Sequence, residues 1–315
     1  MSSDFLKIID MKKTVIGSGI YNLDIIVVRD YPEWPQPRPF TDRTVLEEVG
    51  GTCGNVMCML SWLGWKAMPQ VCLDDSPEGL KAASDLKRYG CDCRYVSNTP
   101  EGGTSLLKCT HKKSPDGRKT ISFRAGSPGG SRFPKRHFLR ARDEAPAFLD
   151  KLDECPAVYF FDDPAAGHRL IAGSLREKGA IVYYEPSRVE TKAELEAVGV
   201  SEIIKFSGDN VLDVSFTERF SDKLFIQTLG AEGLRFKLRG NAWVHVPPVA
   251  CEDVVDWEGA GDWTTSAFLN QLASSGIPFA DQTDASIAEA LKAAQAVAAK
   301  SVGYLSSKGM INNIG

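Results

Sequence analysis

The spacing of apolar positions changes period repeatedly along this chain. Short runs rich in β-branched and aromatic residues at 14–17, 25–28, 71–73, 157–161, 181–184, 202–206 and 224–229 predict strands. Helical spacing marks the stretches at about 54–63, 77–89, 168–178 and 211–218. Residues 44–49 are extended and end at Gly50-Gly51. Residues 104–123 read as an antiparallel hairpin around Ser114-Pro115-Asp116-Gly117, and 234–238 with 242–246 as a second one. Ser286-x-x-Glu289 predicts a capping box for the last long helix, with Ile287, Leu291, Ala294 and Ala298 on one face. Strands and helices alternate through the second half, which predicts a mostly parallel sheet covered on both sides. The early extended segments do not fit that alternation and read as a small separate β sheet projecting from the body.

Composition narrows the classes. The 315 residues are 43% hydrophobic and 25% charged, with a formal net charge of −4, as in an ordinary globular protein. Such a balance argues against a nucleic-acid partner, and the basic run at 132–137 reads as a solvated loop. No apolar run reaches spanning length and no secretory h-region opens the chain, so the expected location is the cytoplasm, without a membrane partner. Met11-Lys12-Lys13 resembles a second start, which makes the first ten residues an expected extension. The eight cysteines are scattered, no C-x-x-C pair occurs, and the four histidines lie apart from any cysteine cluster. Free thiols are therefore expected and zinc is not.

Two glycine-rich stretches fail as nucleotide fingerprints. Gly17-Ser18-Gly19 lacks a third glycine and runs on into strand instead of helix, and no G-x-x-x-x-G-K-[ST] occurs. A different stretch carries chemistry. Val255-Asp256-Trp257-Glu258-Gly259-Ala260-Gly261-Asp262 leads into an amphipathic helix. Small residues leave amide donors uncovered at a helix N-terminus, which suits an anion. An aspartate beside such a seat suggests a proton acceptor next to a transferring phosphoryl group, although capping a helix is the simpler role for an aspartate there.

In this setting the chain resembles the PfkB family of carbohydrate kinases, the ribokinase-like group, along nearly its whole length. Four elements carry the resemblance. They are Asp256-Trp257-Glu258-Gly259-Ala260-Gly261-Asp262, similar to the family's D-T-x-G-A-G-D, and Gly50-Gly51-Thr52-Cys53-Gly54-Asn55 ending in Leu63-Gly64. The others are Asp74-Asp75-Ser76-Pro77-Glu78-Gly79 with Leu86 to Gly90, and Thr228-Leu229-Gly230-Ala231-Glu232-Gly233. The resemblance implies a ribokinase-like α/β fold: one domain over 1–315, its mostly parallel sheet flanked by helices, with a β lid from about 20–50 and 95–128. It further implies ATP-dependent phosphorylation of a sugar hydroxyl. Asp262 would be the general base, and the amides of Gly259, Ala260 and Gly261 the anion hole. Asn22, Asp24, Gly50, Gly51 and Asn55 would hold the sugar, and Gly230, Gly233, Ser207 and Asn210 the nucleotide. The helix around 293–299 would border the adenine. Mg2+ and K+ are the implied ions, the latter at Asp256, and a homodimer through the lid is the implied assembly.

Three departures mark the chain. Trp257 and Glu258 stand where the family has threonine-like residues. Ser207 and Asn210 replace the Asn and Glu of an N-x-x-E element tied to Mg2+, which leaves Asp209 or Glu258 as substitutes. Glu185-Pro186-Ser187-Arg188 alters a D-P-N-x-R stretch. A phosphosugar would call for a basic cluster, for which Arg38, Arg43 and Arg118 are the candidates; an unphosphorylated sugar is preferred. A nucleoside kinase on the same fold, and a sugar or nucleotide sensor with weakened chemistry, remain as alternatives.

Overall fold

The structure, a computed structural model, describes residues 12–30, 41–99, 104–113, 119–126, 144–251 and 253–314. The expected N-terminal extension, the 114–117 turn, the basic run at 132–137, Arg38 and Arg118 lie outside the described residues.

The first strand, β1 (Thr14–Ser18), is wholly buried and lies well inside a nine-stranded sheet of order β13-β12-β11-β10-β9-β8-β1-β4-β5. Its neighbours are β4 (Lys66–Asp74) and β8 (Val158–Phe161), followed by β9 (Ile181–Tyr184), β10 (Ile203–Ser207) and β11 (Leu224–Thr228), all parallel. Two antiparallel strands, β12 (Leu234–Leu238) and β13 (Val244–Val246), close one edge, and β5 (Val96–Thr99) the other. Alternation across the pleat sends Val158 and Phe160 into one core and Tyr159 and Phe161 into the other. Burial on both faces explains why these strands read as continuous apolar runs. Strand β4 begins five residues earlier than its apolar run suggested. Pro69 sits in the half of it that pairs with β1 alone, where a missing N–H is tolerated.

Helices α1 (Thr52–Trp62), α2 (Pro77–Arg88), α6 (Ala260–Ser274) and α7 (Asp284–Ser301) build the first core, joined by α8 (Gly309–Ile314). Helices α3 (Glu144–Leu149), α4 (Ala166–Glu177) and α5 (Lys192–Val200) cover the other face. The expected helix near 211–218 is instead a 3-10 turn, Ser215–Arg219. Its anchors Val211 and Phe216 are both buried but five residues apart, a spacing that one α-helical face cannot present, and Leu212 is 84% exposed. Helix α7 starts earlier than expected. Thr283 is its N-cap, in a reciprocal box with Ser286, which places Glu289 in the second turn.

The second sheet has order β3-β2-β6-β7, from β2 (Asn22–Asp30), β3 (Thr41–Gly50), β6 (Ser105–Lys113) and β7 (Lys119–Gly126). Strands β2 and β6 run parallel, while the outer pairs are antiparallel. Residues 96–99 belong to the main sheet. The Asp74 carboxylate joins the two sheets by accepting from the amide and hydroxyl of Thr104, 2.9 and 2.7 Å away.

Candidate active site

Helix α6 begins at Gly259, whose φ of 77° places it in the left-handed region; a Cβ there would meet the Ser307 Cβ at 2.4 Å. No side chain caps this end. The first i−4 bond runs from the Trp263 amide to the Gly259 carbonyl, and the Ala260 amide makes a long 3.3 Å contact with the Trp257 carbonyl. Gly261 and Asp262 lie ahead of that first i−4 donor, so their amides, like that of Gly259, are not engaged by the helix ladder and face outward as donors. Asp262 stands at the third helical position and is not the N-cap. Its Oδ2 accepts a 2.7 Å bond from the Asn55 side-chain amide on α1. Burial first, and the Glu185 carboxylate second, push its carboxyl up to about 7, against the pull of Asn55, Lys205 and Lys308.

Next to this turn lies a cleft of about 760 Å3 lined by Ala260, Gly261, Ser207, Asp209, Asn210, Gly230 and Gly233, among others. Gln295, Ala298 and Ala299 of α7 form part of its wall, and so does the half-exposed Trp257. Gly233 has φ 89°, and a Cβ would strike the Val246 carbonyl at 2.5 Å, so backbone forms the cleft wall there. A buried ion pair at its base, Lys205 with Glu185, had no signal in the sequence beyond an altered polar stretch. Glu185 also accepts 2.6 Å from the Thr265 hydroxyl, and the Lys205 Nζ lies 3.6 Å from where a Gly261 Cβ would be.

Another set of groups gathers where β2 and β3 meet α1 and the last loop. Asn22 is paired with Gly50, and Asp24 with Glu48. The Asp24 carboxylate fills the space a Gly50 Cβ would take, 1.7 Å from its Oδ2. Gly51, at φ 79°, packs against the Ile20 carbonyl and is the N-cap of α1. Behind them Lys308 is fully buried, with its Nζ 2.6 Å from Asn55 Oδ1, 2.8 Å from the Ser307 hydroxyl and 3.4 Å from Glu48 Oε1. Burial opposes the lysine's charge, but Glu48 and Asp24 outweigh it and hold the amine protonated. Burial raises Asp24 to about 6, with Lys308 opposing and Glu48 adding. Glu48 also takes 2.7 Å from the Tyr89 hydroxyl. Its carboxyl stays below the usual range, because Lys308 and Tyr89 overcome the effect of burial.

Lys308 and Glu48 were not legible as site residues, since one lies in a serine-rich loop and the other in a strand with no motif. Asp162 is a further residue without a signal. Its carboxylate accepts from the Ile20 and Cys53 amides at 2.8 and 2.9 Å, pinning the β1–β2 turn to the start of α1. Glu258 does not line the cleft. It lies among Cys109, Asp24 and Asp256, and burial, then those two carboxylates, push it up to about 8. Both Asp256 oxygens accept backbone amides, from Glu258 and Ser306, at 2.9 Å each.

Residues 191–313 match the model of the pfkB family carbohydrate kinases. A search of curated proteins finds no match. Among solved structures, the fold is similar to ribokinase from Arabidopsis thaliana complexed with ribose and ATP (16% identity, 96% of this chain and 98% of that one, TM-score 0.66). It is similar to a microbiome-derived acarbose kinase (17%, 93% and 94%, TM-score 0.70). A nucleoside kinase from Burkholderia thailandensis in complex with inosine shares it as well (17%, 94% and 92%, TM-score 0.63). The architecture is thus ribokinase-like, with a mostly parallel sheet between helices and a smaller separate sheet.

Proposed function

We propose that this ribokinase-like protein, whose C-terminal part matches the carbohydrate kinase family, transfers the γ-phosphoryl group of ATP to a hydroxyl of an unphosphorylated sugar. One observation carries the reading: a carboxylate raised to about 7 and held by Asn55 at the uncapped N-terminus of α6, beside a nucleotide-sized cleft. Asp262 takes the proton from the attacking hydroxyl, and a base poised near 7 suits that task. The Gly261 and Asp262 amides, with Ala260 in support, and the Lys205 ammonium stabilise the negative charge of the phosphoryl in transit. The cleft wall of Gly230, Gly233, Ser207, Asn210 and the α7 face carries the nucleotide.

A Mg2+ ion accompanying the nucleotide would be held from the cleft side, where Asp209 lines the wall, and when bound would neutralise phosphate charge. Asp256 is the residue assigned to K+. Asn22, Asp24, Gly50, Gly51 and Asn55 receive the sugar. Carboxylates outnumber cations around them, and Lys308, the cation there, is already engaged by Glu48, Asn55 and Ser307, which favours a neutral acceptor over a phosphorylated one. The same charged lining disfavours a nucleoside base. Free thiols at all eight cysteines fit a cytoplasmic setting, and the lid edges offer a surface for a homodimer. No helix among the described residues is long and apolar enough to cross a membrane.

The test is ADP release with Mg2+ and ATP over a panel of sugars, phosphosugars and nucleosides. Turnover with a neutral sugar is expected. Sugar binding without ADP from any acceptor would replace this reading with the sensor.

A further inference from the structure

Two short sequence pairs come together in a way that neither shows alone. Cys109 and His111, two apart on β6, point to one face of the smaller sheet. Asp256 and Glu258 flank Trp257 just before α6. Trp257 faces the cleft, and its two neighbours face β6. The ligand atoms of His111, Asp256 and Glu258 lie within 4.8 Å of one another. His111 Nε2 is 3.4 Å from Asp256 Oδ2 without a hydrogen-bond geometry. His111 Nε2 and Glu258 Oε2 are both buried atoms with no hydrogen-bond partner, as is Oδ1 of the nearby, 2% exposed Asp24. Leaving such atoms unpaired is costly, and a cation shared by His111 and Glu258 would satisfy theirs.

The surroundings are already arranged as an outer shell. The Cys109 thiol donates to Glu258 Oε1 at 3.3 Å, which leaves Oε2 as the free oxygen of that carboxylate. The Glu258 and Ser306 amides fix both oxygens of Asp256, each of which keeps a second lone pair. An imidazole with two carboxylates, beside a thiol, suits a borderline transition ion better than Mg2+ or Ca2+, which prefer all-oxygen shells. Three protein ligands leave a fourth position open.

We propose that His111, Asp256 and Glu258 form a site for a divalent transition-metal ion of the Zn2+ type, with Cys109 positioning Glu258. The ion ties the smaller sheet to the turn that begins α6. It is distinct from any Mg2+ that accompanies a nucleotide, because none of its ligands lines the cleft, and at Asp256 it takes the place assigned above to K+.

The experiment uses the full chain, stripped with a chelator and kept free of nucleotide. Co2+ serves as the optical probe and Zn2+ as its competitor. One equivalent of Co2+ should bind with a low-symmetry visible absorption band that Zn2+ abolishes, and Zn2+ should raise the melting temperature. Glu258→Gln and His111→Ala should each weaken binding by roughly a hundredfold, and Cys109→Ala, which removes the donor to Glu258, by about tenfold, the scale seen when groups around a metal are removed. If His111→Ala does not fold, His111→Gln takes its place and must show the same loss. The site is overturned if the wild-type chain binds no stoichiometric Co2+, or if folded Glu258→Gln and His111 variants bind it as tightly as wild type.

Discussion

The turn that opens α6 separates two very different environments. On one side is an open cleft of about 760 Å3 shaped largely by backbone, with glycines at 230, 233 and 261 and a single buried ion pair, Lys205 with Glu185. On the other, Asp24, Glu48, Asp256, Glu258 and Lys308 are crowded together with little access to water. A backbone-lined cleft with few charges suits a ligand common to many proteins, held by amides whose positions the fold sets. A packed set of charges, some paired and some with an oxygen left unpartnered, suits recognition of a particular partner, because a wrong shape leaves those oxygens unsatisfied. Asp262 stands between the two, sensing Glu185 and Lys205 from the cleft and Lys308 from the cluster.

The most severe way to break this division is at its boundary. Asp262→Asn keeps the shape and its place beside Asn55 but cannot accept a proton. Turnover is expected to fall by roughly 10²–10⁴-fold, the usual worth of a positioned base, with nucleotide binding by calorimetry unchanged. Turnover near wild type would remove Asp262 from the chemistry. The next effect belongs to the closed side. Lys308→Met leaves Glu48 without its ion-pair partner, where the two side chains are 0% and 1% exposed. Breaking a buried pair of this kind costs about 3–5 kcal/mol, so denaturant unfolding should shift strongly. The double variant Lys308→Met/Glu48→Leu should recover much of the loss. A single variant as stable as wild type would show that the cluster is not held by this pair.

The same contrast explains what was legible in the sequence. The cleft side announced itself, because backbone approach demands glycine and the residues concerned, 230, 233, 259 and 261, are close in sequence within two short motifs. The parallel sheet was legible for a similar reason, since strands buried on both faces leave long apolar runs. The closed side was half hidden. Asn22, Asp24, Gly50, Gly51 and Asn55 had motif context, but Lys308 and Glu48 acquire meaning only when the last loop folds back beneath β3. Cys109-x-His111 and Asp256-x-Glu258 are the extreme case, ordinary as separate pairs and joined only by the fold. The helix expected near 211–218 failed for another reason: its buried residues Val211 and Phe216 are five apart, which no α-helical face presents, and only 215–219 form a short 3-10 turn.

The boundary can also be sharpened by pH. As the proposed base Asp262 would have to be ionised, and its folded value is about 7 against an ordinary 3.8. Turnover should therefore decline as pH falls through about 7, approaching tenfold per unit below it. The stability effect has the opposite sign. Between about 4 and 7 the folded protein keeps a proton that the unfolded chain has lost, so ionisation at higher pH opposes folding. Asp262→Asn should consequently melt higher than wild type at pH 8, with the difference shrinking towards pH 4. A pH profile flat from 5.5 to 8, with turnover limited by chemistry, would count against Asp262 as the base.

The smallest effect is expected from the cleft itself. Trp257 is 46% exposed and lines the cleft wall beside Ala260 and Gly261 without holding a charge or a hydrogen bond there. An aromatic face of this kind adds contact area to a bound base or phosphate chain, and stacking on an aromatic is worth about 1–3 kcal/mol per base at the high end of well-ordered platforms. For a half-exposed ring the lower limit is the fair expectation, about fivefold in KM for ATP on Trp257→Ala, with kcat nearly unchanged and KM for the sugar within twofold. Should the sugar KM rise while that for ATP stays fixed, Trp257 would serve the acceptor, and the two sides of the α6 turn would not divide the substrates as the charge distribution indicates.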